Sequence, residues 1–242
     1  MKILRSMSLL IGLSAVCLAS LMITPSYGQE ALMLKEGNII RIVRVDVDPK
    51  MEDEFIRWYN SEHERLLLKV PGVIWTYRAV NLGDKGQKYF YVYLHESMNV
   101  QKSEQYKAAS QTEWAKEVRA FLKNFEGINY EVIVPGPVQT HFGKGAIIRT
   151  VQANVEPGQE GSFNKWYNEE HIPLLKKVPG VLGIWRAKNV GDKGQQYLTV
   201  YFQENIQVQG REDYKKASQT DWIKSLMPHI KDLFGMNFEI QF

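Results

Sequence analysis

"WYNEEHIPLLKKVPGV" occupies residues 166–181, and "WYNSEHERLLLKVPGV" occupies residues 58–73. The offset between them is 108, and it runs without a gap from Ile39/Ile147 to Val134/Phe242, with 47 identities in 96 aligned pairs. "GDKGQ" (residues 83–87 and 191–195) and "ASQT" (109–112 and 217–220) recur inside it. Two copies are too few to stack as a solenoid, so each copy is read as a domain-sized unit. The units are residues 39–134 and 147–242. The Gly- and Pro-containing stretch between them, residues 135–146, reads as a linker.

Each unit reads strand, helix, strand, strand, helix, strand. Residues 39–47 are β-branched and alternating, and Pro49 suits the opening of a helix. Phe55, Trp58, Tyr59, His63, Leu66 and Leu67 recur at the spacing of one helical face. "VPG" stops that helix. Residues 73–81 and 88–95 read as strands joined by the turn "GDKG". A second helical stripe runs through Tyr106, Ala109, Trp114, Val118, Phe121 and Phe125, and residues 128–134 close the unit as a short strand. This βαββαβ order is the ferredoxin-like plan, an α+β fold.

The third strand adds a constraint. Tyr89, Tyr91 and Tyr93 point one way, and Phe90, Val92 and Leu94 point the other. A sheet with one wet face alternates apolar with polar. Here both faces need cover, one from helices and one from a second sheet. The duplicated unit supplies that sheet, which gives a pseudo-two-fold pair of units closing one barrel within the chain.

The first residues are of a different kind. Lys2 and Arg5 precede a mostly apolar run, and Pro25, Ser26, Tyr27 and Gly28 lead to a cut before Gln29. This is the layout of a secretory signal peptide over residues 1–28, so the expectation is a periplasmic or secreted protein. Cys17 is the one cysteine, and it lies in that leader. Disulfides, thiolate metal sites and cysteine nucleophiles are thereby excluded from the mature chain. Of the 30 basic residues, Lys2 and Arg5 leave with the leader, so 28 face 27 acidic ones. That balance offers no electrostatic case for nucleic acid, or for a membrane once the leader is cut.

Tyr59 and His63, like Tyr167 and His171, are four residues apart, on one helical face. Imidazole is the side chain best matched to proton transfer near neutral pH. A buried phenol can steady a developing enolate or oxyanion. These four residues are the catalytic candidates. Trp58, Trp166, Asn60 and Asn168 flank them, and Arg78 and Arg186 lie mid-strand in apolar context. These six are candidates for holding a ligand. The same pattern also suits a packed histidine bonded to a backbone carbonyl. Glu62 and Glu170 are expected to be solvated, and His95, His141 and His229, unpaired in the repeat, to be surface or linker residues.

Several sharper motifs are missing. "HERLL" has Leu67 where a zinc-protease helix needs its second histidine. "GDKGQ" enters a strand, whereas a phosphate loop opens a helix. There is no G-x-S-x-G elbow. Neither a metal nor a cofactor is expected.

"FNKWYNEEHIPLLKKVPGVLGIWRA", residues 163–187, resembles the dimeric α/β-barrel superfamily, especially its EthD-like branch. His171 and Pro173 match the His and Pro of that branch. In the first unit His63 matches, but Arg65 replaces the proline. The resemblance implies a pocket between helix and sheet lined by Trp58, Tyr59, His63 and Arg78 and their second-unit equivalents. It covers isomerases, cyclases, cofactor-free monooxygenases and haem proteins, so it does not fix the activity. The leading expectation is an exported enzyme of isomerase, cyclase or lyase type that moves a proton on a small apolar carbonyl or aromatic compound. A binding protein for a small apolar ligand or haem, and a structural or interaction domain, are the alternatives. Cofactor-free oxygen chemistry and a further homo-oligomer stay open.

Overall fold

The computed structural model describes residues 32–241, and the expected leader with Cys17 lies outside them. The elements follow in chain order. β1 (Met33–Leu34) and β2 (Ile39–Val47) lead to α1 (Glu52–Trp58), a π-helical turn (Tyr59–His63) and α2 (Glu64–Leu67). β3 (Val73–Asn81) and β4 (Tyr89–His95) form a hairpin, followed by α3 (Met98–Lys102), α4 (Glu104–Ser110), α5 (Glu113–Arg119) and β5 (Leu122–Val134). After β6 (Gly136–Pro137) the pattern repeats as β7 (Ile147–Val155), α6 (Glu160–Trp166), a second π-helical turn (Tyr167–His171) and α7 (Ile172–Leu175). β8 (Val181–Asn189), β9 (Tyr197–Gln203), α8 (Glu212–Ser218), α9 (Asp221–Leu226) and β10 (Ile230–Ile240) complete it.

The long strands close one antiparallel barrel in the order β10-β3-β4-β2-β5-β8-β9-β7. Each unit contributes a four-stranded ferredoxin-like sheet, and two seams join the sheets. At one seam Tyr130 pairs with Asn189 and Val132 with Ala187. At the other, Phe238 pairs with Asn81 and Ile240 with Ala79. These are the same positions with the units exchanged, so the pseudo-two-fold is kept in the register itself. Closure leaves the barrel no unpaired edge strand.

The two faces of β4 meet the two environments expected of them. Phe90, Val92 and Leu94 are buried in the barrel interior with Leu198, Val200, Phe202 and Phe238. Tyr89, Tyr91 and Tyr93 are buried outside it, beneath Phe55, Trp58 and Tyr59 of the first helix. Phe90 stacks on Phe238 from the other unit at 4.1 Å. A pair of this kind adds about 1 kcal/mol beyond the area it buries.

Two details depart from the sequence reading. The second helical stripe ends at Arg119, so Phe125 is a strand residue, 58% exposed. β5 starts early because a bulge absorbs the mismatch with β2 between Arg44 and Asp46, with Asn124 at φ 51°. Asparagine tolerates that left-handed conformation better than most side chains. Asp232 plays the same part in β10 at φ 50°. The stretch between the units is also packed. β6 pairs with β1, Pro137 accepts from Trp185 Nε1 at 3.0 Å, and Phe142 lies against Tyr77 and Phe202 at the barrel end.

Candidate functional site

Both first helices break their α-helical ladder at the Tyr-His pair. The Glu64 N–H donates to the Tyr59 carbonyl, and the Ile172 N–H to the Tyr167 carbonyl, five residues back in each case. In a regular α-helix, residues five apart diverge by about 140°. The wider turn instead sets each imidazole on the tryptophan five residues earlier. His63 stacks on Trp58 at 4.3 Å and 29°, and His171 lies on Trp166 at 4.5 Å and 33°. Such π turns occur disproportionately at functional sites.

The hydrogen-bonding partner of each histidine is a strand tyrosine, not the helix tyrosine named by the i, i+4 spacing. His171 Nε2 meets the Tyr201 hydroxyl at 3.0 Å, and His63 Nε2 meets Tyr93 at 3.4 Å. Tyr59 and Tyr167 still flank the imidazoles, with ring centroids 5.5 and 5.1 Å away. Tyr167 also approaches the Tyr201 hydroxyl at 3.5 Å. The helix contributes the imidazole and an aromatic wall, and the sheet fixes the ring orientation.

Burial governs the ionisation here. It pushes His63 down to about 3, helped by the positive charge of Arg119. It pushes His171 down to about 4, with the Ala217 backbone opposing the shift and Arg186 adding to it. Burial raises the phenols of Tyr59, Tyr93 and Tyr201 well above the usual tyrosine range. At neutral pH the site therefore holds neutral imidazoles against protonated phenols.

A cavity of about 500 Å³ opens beside His63, with Trp58, Tyr59, Tyr91 and Tyr93 in its walls. Its counterpart beside His171 measures about 220 Å³. Ligand pockets for ordinary small molecules run from roughly 300 to 1,000 Å³, so only the first falls in that range. Among the described residues, Trp58 Nε1, His63 Nδ1 and the Tyr59 and Tyr91 hydroxyls are buried there without a hydrogen-bond partner, and so are Trp166 Nε1 and His171 Nδ1 beside the second hollow. Buried polar groups are nearly always paired, so orphans beside both hollows make each a candidate site, with more of them at the first.

The remaining candidates lie elsewhere. Asn60 and Arg78 bond to each other and border a separate hollow of about 190 Å³ with Glu64 and Thr76. Asn168 is exposed. Arg186 is fully buried, 3.9 Å from the Tyr167 ring, and donates to Asn164 Oδ1 at 3.0 Å. The Tyr167 ring, not the arginine, lines the cavity. Mid-strand position showed that the arginines would be enclosed, but not on which side of the aromatic wall.

Three acidic and histidine readings change. Glu62 accepts a hydrogen bond from Thr112, the N-cap of α5, and Glu170 accepts from Thr220, the N-cap of α9. Both are therefore half-buried ties between helices. His95 is completely buried, 3.2 Å from Gln101, and burial lowers it to about 4. The signal was available, since residue 95 shares strand parity with Tyr89, Tyr91 and Tyr93 and so must face the helices. His141 is exposed, and His229 bonds Glu156 at 2.8 Å. Tyr93 and Tyr201, the partners of the histidines, are the same residue in the two units, and that repetition was the signal that could have found them.

No family model matches the sequence, and no curated protein matches it. Solved structures do. A candidate monooxygenase from Fusobacterium nucleatum superposes with a TM-score of 0.65 at 11% identity, over 86% of this chain and 94% of that one. A candidate monooxygenase from Lactobacillus acidophilus gives 0.62 at 12%, over 85% and 94%. A double mutant of chlorite dismutase from Candidatus Nitrospira defluvii gives 0.60 at 9%, over 88% and 94%. These are dimeric α/β barrels, and at such identities the likeness is one of fold.

Proposed function

We propose that this chain is an exported small-molecule enzyme of the EthD-like type, which takes an aromatic or carbonyl compound into the cavity beside His63 and removes a proton from it. The observation that carries this reading is the neutral imidazole, stacked on Trp58 at the wall of a cavity of about 500 Å³ and holding one unpartnered nitrogen. Nε2 meets the Tyr93 hydroxyl, and the ring nitrogen that carries no hydrogen is the one that accepts the proton.

The depressed ionisation narrows the chemistry. Protonating a group that ionises near 3 costs roughly 5 kcal/mol at pH 7. That cost is offset when the departing proton leaves an anion beside the new imidazolium. His63 therefore suits a substrate whose conjugate base stays in the cavity, an enolate or a phenolate, with Tyr59 donating a hydrogen bond to it. His171 and Tyr167 form the matching pair of the second unit.

A second reading has its own support. An electron-rich phenolate or carbanion reacts with molecular oxygen directly, and similar structures are described as candidate monooxygenases and as an anthrone oxidase-like protein. Haem fits the site less well, because each Nε2 already meets a tyrosine hydroxyl and each Nδ1 is buried.

The test is turnover of anthrone and of a simple hydroquinone, followed by absorbance and by oxygen uptake, in wild type and His63→Ala/His171→Ala. Loss of turnover in a variant that keeps its circular dichroism supports proton abstraction. Oxygen consumption matching product selects the oxidative reading. Turnover undiminished in the double variant removes the histidines from the mechanism.

A further inference from the structure

The charges at the mouth of the first cavity are of one sign. Arg41, Lys107 and Arg119 line it, and among the described residues no aspartate or glutamate does. Lys107 is paired with Glu104 at 2.8 Å. The other two make only neutral contacts among the hydrogen bonds seen. Arg119 Nη2 donates to the Ser110 carbonyl at 2.5 Å, and Arg41 Nη1 to Asn129 Oδ1 at 3.4 Å. Behind these cations the walls are aromatic: Phe55, Trp58, Tyr59 and Tyr91. The cavity thus has an aromatic wall and, on its exposed side, the cations Lys107 and Arg119.

The second cavity lacks this arrangement. Met227 stands where the first unit has Arg119, and Ile223 stands where it has Ala115. Both Met227 and Ile223 line the smaller hollow. Its one lining cation, Arg149, donates to Gln209 and Asn237 at 3.2 Å each.

We propose that the first cavity takes a planar aromatic ligand carrying an anionic group, with its rings against the Trp58–His63 stack and its anion at Arg119, and that the second cavity does not take it. A guanidinium is the side chain best shaped to hold a carboxylate-like group in two-point contact. The anion remains at the rim, where Arg119 is exposed, so only the apolar part of the ligand is fully desolvated. This inference rests on the cavity being the ligand site named above and adds the class of compound it selects.

The test uses two fluorescent probes that share one aromatic framework, the anion anilinonaphthalenesulfonate and its neutral counterpart phenylnaphthylamine. Both are titrated into the full chain. Energy transfer that falls in Trp58→Phe places the probe in this cavity. The expected result is one site per chain, with the anionic probe preferred by about tenfold, the scale of one charged contact. Arg119→Met, which copies the second unit, removes the preference, and Arg119→Lys restores part of it. Ile223→Ala/Met227→Arg adds a second anionic site. An anionic preference that survives Arg119→Met overturns the inference, and so does neutral binding in the cavity without any preference, which leaves the ligand site standing. Failure of both probes to enter overturns the inference and the ligand site together.

Discussion

The two halves of this molecule fold alike and are furnished differently. Around His63 and His171 the same π turn, the same tryptophan stack and the same strand tyrosine recur. Yet one cavity measures about 500 Å³ and the other about 220 Å³. The shared parts hold the helix to the sheet. The differing parts, Arg119/Met227, Ala115/Ile223 and Tyr91/Thr199, lie around the hollow. The repeat therefore shares its frame and differs in its lining, and it is the lining that sets the two hollows apart.

The sharpest way to break that comparison is to treat the histidines separately. His63→Ala is expected to lower kcat/KM by about 10³-fold, within the range of a lost general base. His171→Ala is expected to change it by no more than about threefold, since its cavity falls below the usual ligand size. Equal losses in the two variants, measured on the same substrate, would make both sites functional.

Acid stability sharpens the comparison further. His95 and Gln203 are paired in the repeat, and both are fully buried. His95 ionises near 4 when folded and near 6.5 when unfolded, so the unfolded chain binds the proton first. Its neutral form therefore favours the fold above about pH 6.5, and that advantage is lost as pH falls toward 4. His95→Gln is expected to reduce the slope of stability against pH by about 1.4 kcal/mol per unit between those values. Denaturant titrations at a series of pH values measure it, and an unchanged slope would show that His95 is charged inside the protein.

Ile223→Ala tests whether volume alone distinguishes the cavities. A stability loss of about 1–2 kcal/mol is expected for a partly buried side chain, read from the denaturant midpoint. The neutral naphthylamine should then gain a weak second site without any new cation. The smallest effect concerns the strand tyrosines. Tyr201→Phe removes a 3.0 Å bond and is expected to cost about 1 kcal/mol, while Tyr93→Phe removes a 3.4 Å bond and costs less. A larger loss at Tyr93 would mean that the first site is the more tightly built of the two.

Much of the site was legible from residue order. The 108-residue offset located the imidazoles, and helical spacing put Trp58, Tyr59 and His63 on one face. What it did not name was the strand tyrosine that each histidine meets, or the stack on tryptophan. An i, i+4 rule assumes an unbroken α-helix, and the π turn replaces that geometry with an i, i+5 stack on tryptophan. Asn60 and Arg78, read as ligand-holding candidates, border a separate hollow for a related reason. Sequence periodicity gives the direction of a side chain from its own element, whereas the boundary of a cavity is drawn by several elements meeting. Arg119 carried no sequence signal at all, since it is the exposed last residue of α5 and reaches the cavity only when α5 packs on α1.

The sequence by itself determined the two βαββαβ units, the strand parity that buries both faces of β4, and hence the need for a second sheet. These follow from local periodicity, which each segment carries in its own residues. Only the tertiary structure decided which tyrosine holds each histidine, which cavity stays open, and which cations rim it. Those properties belong to contacts between segments far apart in the chain, where a change of one side chain, alanine to isoleucine or arginine to methionine, leaves the fold untouched and alters what the hollow can accept.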